Sequence, residues 1–304
     1  MGYLFLIISV LSGVIKGFFA KKVSDKTNCL KSAVVSNLIR MVFCIPIGLL
    51  FIAAEGKGIN LAVSYYDLLI SAFGGIVTSI FIVSWLLAVR KTAYTTIDAF
   101  LSMGIFVPIV LSLVFYEESI SISQIIGLLL LICSVFIMSV YSNKNKQKLT
   151  ITTLILLLIS GVACGLADFS QKMFNYSNSE ISASVFNFYI YVFSAITLAV
   201  TLPFFKAKKT TEKTETVEKR SGIDIIKILY IAIMAVFLFA NTYFKTLAAS
   251  ILDSVMLYPL SQGLSLLLSL IMSAVFFKEK IKPISITGIT VLFVGLLFIN
   301  VIKF

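Results

Sequence analysis

The sequence predicts an all-α integral membrane protein whose ten transmembrane helices form two inverted five-helix repeats. Three observations carry that expectation. Of 304 residues, 59% are hydrophobic and 13% are charged, with a mean hydropathy of +1.05. A soluble chain keeps roughly a quarter of its residues charged to cover its surface. Apolar stretches of about 20 residues, enough to span a bilayer, follow one another with little between them. Landmarks of the first half recur in the second half in the same order.

The apolar stretches fall at about 2–20, 32–54, 66–89, 94–115, 120–141, 150–172, 182–205, 224–245, 251–277 and 281–302. The first of them, beginning MGYLFLIISVLSGV, has no basic n-region, and no small-residue cleavage site precedes Lys21 and Lys22. It is therefore expected to be a membrane helix and not a signal peptide. The organisation expected is a repeat over 1–141, a basic cytoplasmic linker over 142–149, and a second repeat over 150–304. Inside the second repeat, KAKKTTEKTETVEKRSG at 206–222 is polar and of mixed charge, as a mobile loop would be.

The formal net charge of +11 does not point to nucleic acid, because the basic residues sit in short clusters between apolar runs. Nineteen of the 25 Lys and Arg fall in alternate loops: Lys21 to Lys31, Arg90 and Lys91, Lys144 to Lys148, Lys206 to Lys227, and Lys278 to Lys282. The positive-inside rule puts those loops in the cytoplasm and both termini outside it, in a multi-pass protein of the cytoplasmic membrane. Cys29, Cys44, Cys133 and Cys164 are scattered, with no metal-ligand spacing, and read as small hydrophobes. Histidine is absent. That removes the usual Ser–His and His-ligated zinc hydrolases, and no cofactor or metal is expected.

The repeat shows in five places. Ser12-Gly13-x3-Gly17 matches Ser160-Gly161-x3-Gly165, and Ser32-Ala33-x-Val35-x-Asn37 matches Ser182-Ala183-x-Val185-x-Asn187. Arg90 precedes Asp98 by eight residues, as Lys245 precedes Asp253. Leu101-Ser102-Met103-Gly104 parallels Leu260-Ser261-Gln262-Gly263, and Glu118-x8-Gly127 parallels Glu279-x8-Gly288. The offsets rise in order through 148, 150, 155, 159 and 161. Five helices is an odd number, so the second copy must enter the membrane upside down. Inverted repeats of this kind place a substrate site at their interface near the midplane.

These residues resemble the drug/metabolite transporter superfamily, in particular its ten-helix EamA-type members. The likeness rests on the Gly-x3-Gly of helices one and six, the Arg of helix two, the Pro- or Gly-bearing helices four and nine, and the Glu-x8-Gly closing each half. It runs over 2–302 and implies a permease for a small solute, with helix two beside the cavity. The four-helix multidrug relatives carry a carboxylate in helix one for proton exchange. Here Lys16 is the only charged residue of that apolar span, which argues against proton-coupled cation antiport.

Arg40 lies nine residues beyond Lys31, about 13 Å into a core roughly 30 Å thick. A charge at that depth faces a wet cavity or a partner, and a guanidinium fork suits a carboxylate or phosphate. The alternative is a tether onto carbonyls or onto Asp98. Lys16, about 7.5 Å before Lys21, either snorkels to the interface or lines the cavity. Asn37 and Asn187 occupy matching positions and would either flank a ligand or join helices. Asn241 and Gln262 raise the same choice.

Asp168 and Lys172 are four apart. They are expected to form an i,i+4 ion pair, with Asp168 otherwise a candidate coupling carboxylate for an unassigned ion. Glu118 and Glu279 are expected to complement their own helix starts, and Trp85 to mark the membrane interface.

Together these features point to alternating access by a carrier of a small anion or zwitterion, such as an amino acid or another carboxylated metabolite. The competing readings are a quaternary-amine or drug carrier, a lipid-headgroup flippase and, remotely, an intramembrane enzyme built on Asp98 and Asp253. The first two would need an aromatic cage, for which Phe188, Tyr189 and Tyr191 are candidates. Expected partners are the solute and membrane lipids.

Overall fold

The computed structural model describes residues 1–25, 30–56, 59–89, 101, 103–142, 150–177, 179–205, 225–276 and 283–300. The basic linker from 143, the polar tract 206–222, and the sequence landmarks Cys29, Arg90, Asp98 and Glu279 lie outside them. Ten α-helices of ten residues or more stand among the described residues. They are α1 (Gly2–Asp25), α2 (Leu30–Ala54), α3 (Tyr65–Val89), α4 (Phe106–Phe115), α5 (Ile122–Ser142), α6 (Ile151–Tyr176), α7 (Ala183–Thr201), α8 (Ile225–Ala249), α9 (Ser254–Phe276) and α10 (Pro283–Asn300).

Local chemistry sets several helix ends. Ser121 and Gln124 form a capping box before α5: the Ser121 hydroxyl accepts the Gln124 N–H at 3.3 Å, and the Gln124 side chain accepts the Ser121 N–H at 2.9 Å. Thr150 caps α6 by accepting the Thr153 N–H at 3.3 Å. Gly56, at φ +74°, closes α2 in a backbone conformation that favours glycine.

Among the described residues, six helices are long and apolar enough to cross a membrane: Gly2–Ala20, Leu30–Ala54, Tyr65–Ala88, Ile151–Tyr176, Ala183–Phe204 and Ile225–Ala249. The other four are α4, α5, α9 and α10, of which α5 and α9 run for 21 and 23 residues. Large apolar side chains such as Leu50, Val114, Ile151 and Val200 are exposed on the outside of the bundle, where lipid replaces water as the solvent.

The packing obeys the repeat. Exchanging the halves pairs α1 with α6, α2 with α7, α3 with α8, α4 with α9 and α5 with α10. Under that exchange the extensive α1–α8 contact becomes α6–α3, α2–α8 becomes α7–α3, and α1–α9 becomes α6–α4. The α2–α7 and α5–α10 contacts map onto themselves. An odd number of spans per half makes the relating axis a pseudo-dyad in the membrane plane, the inverted-repeat arrangement expected from sequence.

Side chains at matching positions even repeat their bonds. Asn37 donates to the Ala33 carbonyl at 2.9 Å, and Asn187 donates to the Ala183 carbonyl at 2.7 Å. Cys44 of α2 donates to the Ala235 carbonyl of α8 at 3.6 Å. Ser194, 150 residues on, donates across α7–α3 to the Gly75 carbonyl at 2.9 Å.

Glycines allow two close crossings. A Cβ on Gly165 of α6 would strike the Gly104 carbonyl, and a Cβ on Gly104 would strike the Gly161 carbonyl. At the matching place in the other half, a Cβ on Gly17 would meet no atom of the described residues within 4 Å, and one on Gly263 would meet the Leu296 side chain. The two halves are therefore alike in topology and unlike in closure.

Candidate functional site

Lys16 and Cys164 occupy equivalent positions, 148 residues apart, and lie within electrostatic range of each other. A residue close to its own symmetry mate is close to the pseudo-dyad, and so near the midplane. Lys16 is also within range of Arg40, Lys245 and Asp168. It is partly buried on α1.

Arg40 projects from α2 beside Cys44 and toward Tyr191 of α7, the symmetry mate of α2. Its Nε is buried with no hydrogen-bond partner among the described residues. The tether onto carbonyls is not seen there, and Asp98, the other proposed tether, lies outside the described residues. Tyr191 is already engaged: its hydroxyl is 2.7 Å from that of Thr242. The described wall around Arg40 thus includes the neutral groups Cys44 and Tyr191.

Asp168 and Lys172 do not pair with each other; this expectation is corrected. Lys245 of α8 donates to Asp168 at 2.7 Å, with side chains 15% and 19% exposed, while Lys172 lies 3.0 Å from Glu118, at 3% and 4%. The reason is that α6 is surrounded by other helices, so burial selects partners that join neighbours over a pair along one exposed face. Tyr258 of α9 donates to the Asp168 backbone carbonyl at 2.9 Å, and Lys245 lies 5.4 Å from its ring centre.

Glu118 needs a second correction. Its carboxylate serves the start of α9 and not that of its own helix, accepting the Ser254 N–H at 2.8 Å where a helix dipole favours an anion. Lys172 adds a bond to the Leu252 carbonyl at 2.8 Å, and Tyr116 stacks on Tyr176 at 3.9 Å. At the Glu118 end of the bundle this network joins the two repeats, beside an open pocket of about 250 Å³ lined by Lys172, Asn175, Tyr176, Ser250 and Asp253.

The amides divide. Asn241 of α8 exchanges bonds with Ser9 of α1: Ser9 donates to its carbonyl at 2.7 Å, and its side chain donates to the Ser9 carbonyl at 2.8 Å. This joins two helices. Asn187 is fully buried and donates to Thr246 at 3.1 Å, but its Oδ1 has no partner among the described residues. Asn37 and Gln262 are partly buried on α2 and α9.

Trp85 is partly buried against the core formed by α2, α3, α7 and α8. Of the three aromatic residues proposed for a cage, Phe188 and Tyr189 pack edge to face with ring centres 5.3 Å apart. Tyr189 donates to the Leu61 carbonyl at 2.8 Å, Phe188 packs near Gly48, and Tyr191 lies against Phe239. Lys245, the partner of Asp168, is a side chain that sequence spacing does not single out. It had been noticed only as the symmetry mate of Arg90.

A model of a protein family described as the EamA-like transporter family matches the chain twice, over residues 1–140 and 151–301. Each match covers one five-helix repeat. No curated protein matches the chain. A solved structure described only as "Crystal structure of protein" superposes with a TM-score of 0.72 at 11% sequence identity, covering 98% of this chain and 96% of that one. At that identity the likeness speaks for the fold alone.

Proposed function

The chain belongs to the EamA-like transporter family, and from that premise we propose that it carries a small solute with an anionic group across the cytoplasmic membrane by alternating access. An amino acid or another carboxylated metabolite fits this description. The observation that carries the reading is Arg40, whose buried Nε is without a partner among the described residues near the pseudo-dyad. A buried donor left unsatisfied costs about 1–3 kcal/mol, and a carboxylate bound there would relieve that cost through a charge-assisted, bidentate contact.

Lys16 of α1 adds positive charge within electrostatic range of Arg40. Asn37, Asn187 and Gln262 supply polar groups on α2, α7 and α9, while Asn241 holds α1 against α8 behind them. The unequal crossings, closed at Gly104–Gly165 and without such a contact among the described residues at Gly17, support a carrier at rest in one of two related states. Rocking of one half against the other would exchange them.

The reading is tested by reconstituting the protein in liposomes and measuring uptake of radiolabelled amino acids, monocarboxylates and quaternary amines. Saturable uptake of a carboxylated solute is expected. Uptake restricted to quaternary amines would overturn the assignment.

A further inference from the structure

We propose that the pocket at the Glu118 end is a second binding site, at which a small α-amino acid places its carboxylate on Lys172 and its ammonium on Asp253. The carboxylate takes the place of Glu118, so binding there releases the ion pair that joins the two repeats. This rests on the reading that the solute carries a carboxylate, and of the solutes that reading allows it selects the amino acids.

The pocket holds about 250 Å³ and is lined by Lys172, Asn175 and Tyr176 of α6 and by Ser250 and Asp253 of the turn between α8 and α9. Sites for drug-sized ligands run from roughly 300 to 1,000 Å³, so this one suits a metabolite of a few carbon atoms. Ser250 and Asp253 are exposed, which gives access from the end of the bundle. Lys172 is different: its side chain is 3% exposed, and its ammonium lies 3.0 Å from Glu118. The same ammonium donates to the Leu252 carbonyl at 2.8 Å, and Leu252 directly precedes Asp253. A small pocket therefore offers a cation and an anion from neighbouring points, as the two charged groups on one α-carbon require.

Exchange at Lys172 strands no charge. The ammonium has one carboxylate before binding and another after it, so the cost of a buried cation losing its partner does not arise. Glu118 keeps donors of its own: the Ser254 N–H at 2.8 Å and the Ser254 hydroxyl at 3.3 Å, at the start of α9 where a helix dipole favours an anion. A simple amine would meet Asp253 and leave the Lys172–Glu118 pair closed. A simple carboxylate would compete for Lys172 while facing the negative charge of Asp253. The zwitterion satisfies both residues and, through Lys172, acts on the ion pair that joins the repeats.

The test uses purified full-length protein carrying Ser250→Cys, a substitution at an exposed position of the pocket wall. Alkylation at position 250 is followed by mass spectrometry in the presence of 2-aminobutyrate, butyrate or propylamine. These related probes carry both charges, the carboxylate alone or the ammonium alone. 2-Aminobutyrate should protect at concentrations about tenfold lower than either of the others. Asp253→Asn should remove its advantage over butyrate, and Lys172→Arg, which keeps a cation beside Glu118, should retain it. Glu118→Gln should strengthen protection by 2-aminobutyrate, because Glu118 no longer competes for Lys172.

If butyrate or propylamine protects as well as 2-aminobutyrate, or if Asp253→Asn leaves the three probes in the same ratio, the proposal is overturned. Weaker protection in Glu118→Gln, or no protection at all, overturns it too. The anionic-solute reading is then judged separately, by uptake into liposomes. Arg40→Gln, which removes the contact on which that reading depends, should leave protection at position 250 unchanged. Loss of protection in Arg40→Gln would assign the effect to the Arg40 site and overturn the proposal.

Discussion

The Lys172 ammonium, in the second repeat, lies 3.0 Å from the Glu118 carboxylate, in the first, with 3% and 4% of the two side chains exposed. The pair therefore fastens the halves together at one end of the bundle. Glu118 also holds the Ser254 N–H at 2.8 Å, so the same carboxylate fixes the start of α9. A ligand-driven opening of that end must break these bonds.

Lys172→Met should be strongly destabilising, because it leaves a buried carboxylate without its cation. The expected loss is about 3–5 kcal/mol, read as a fall in melting temperature in detergent. Adding Glu118→Gln to that variant should recover part of the loss, since the stranded charge is removed. An unchanged melting temperature in Lys172→Met would show that the pair does not hold the end closed.

The crossing of α4 and α6 gives a second expectation. Gly165→Ala places a methyl group against the Gly104 carbonyl and the Val107 side chain, and overpacking of this kind costs about 1–3 kcal/mol. Gly17→Ala, at the equivalent position in α1, meets no atom of the described residues within 4 Å and should melt like wild type. Equal losses at both positions would contradict the asymmetry between the halves.

Orientation is the third. The clustering of nineteen basic residues in alternate loops predicts both termini outside the cytoplasm. A reporter that is active only in the cytoplasm should be silent when fused at either end and active when inserted within 206–222. Activity at the termini would reverse the orientation.

The sequence disclosed the architecture because inverted repetition constrains many positions at once. Asn37 and Asn187, found as matching letters, even donate to matching carbonyls. Depth along a helix was also legible, which is why Arg40 stood out as a charge without an easy route to water. Rotation about the helix was not legible. Whether Lys16 pointed outward or inward depended on which helices surround α1, and no local spacing reports that.

Pairing failed for the same reason. Asp168 and Lys172 have the i,i+4 spacing of an ion pair, but on a helix enclosed by neighbours each found a partner elsewhere. Lys245 became visible as the partner of Asp168 only when α6 and α8 were placed in space. Glu118 was recognised as a carboxylate serving a helix start, although the helix it serves is α9.

The central claim is that Arg40 holds the solute's anionic group, and a paired measurement on Arg40→Gln tests it most directly. The melting temperature of the apo variant is compared with wild type, and then the further stabilisation given by saturating carboxylated solute is measured for both. The account predicts an apo variant at least as stable as wild type, because the buried Nε has no acceptor among the described residues, and no ligand-induced shift. An Arg40→Gln protein that melts early yet still gains the full shift from the solute would contradict it, leaving Arg40 as a structural tether.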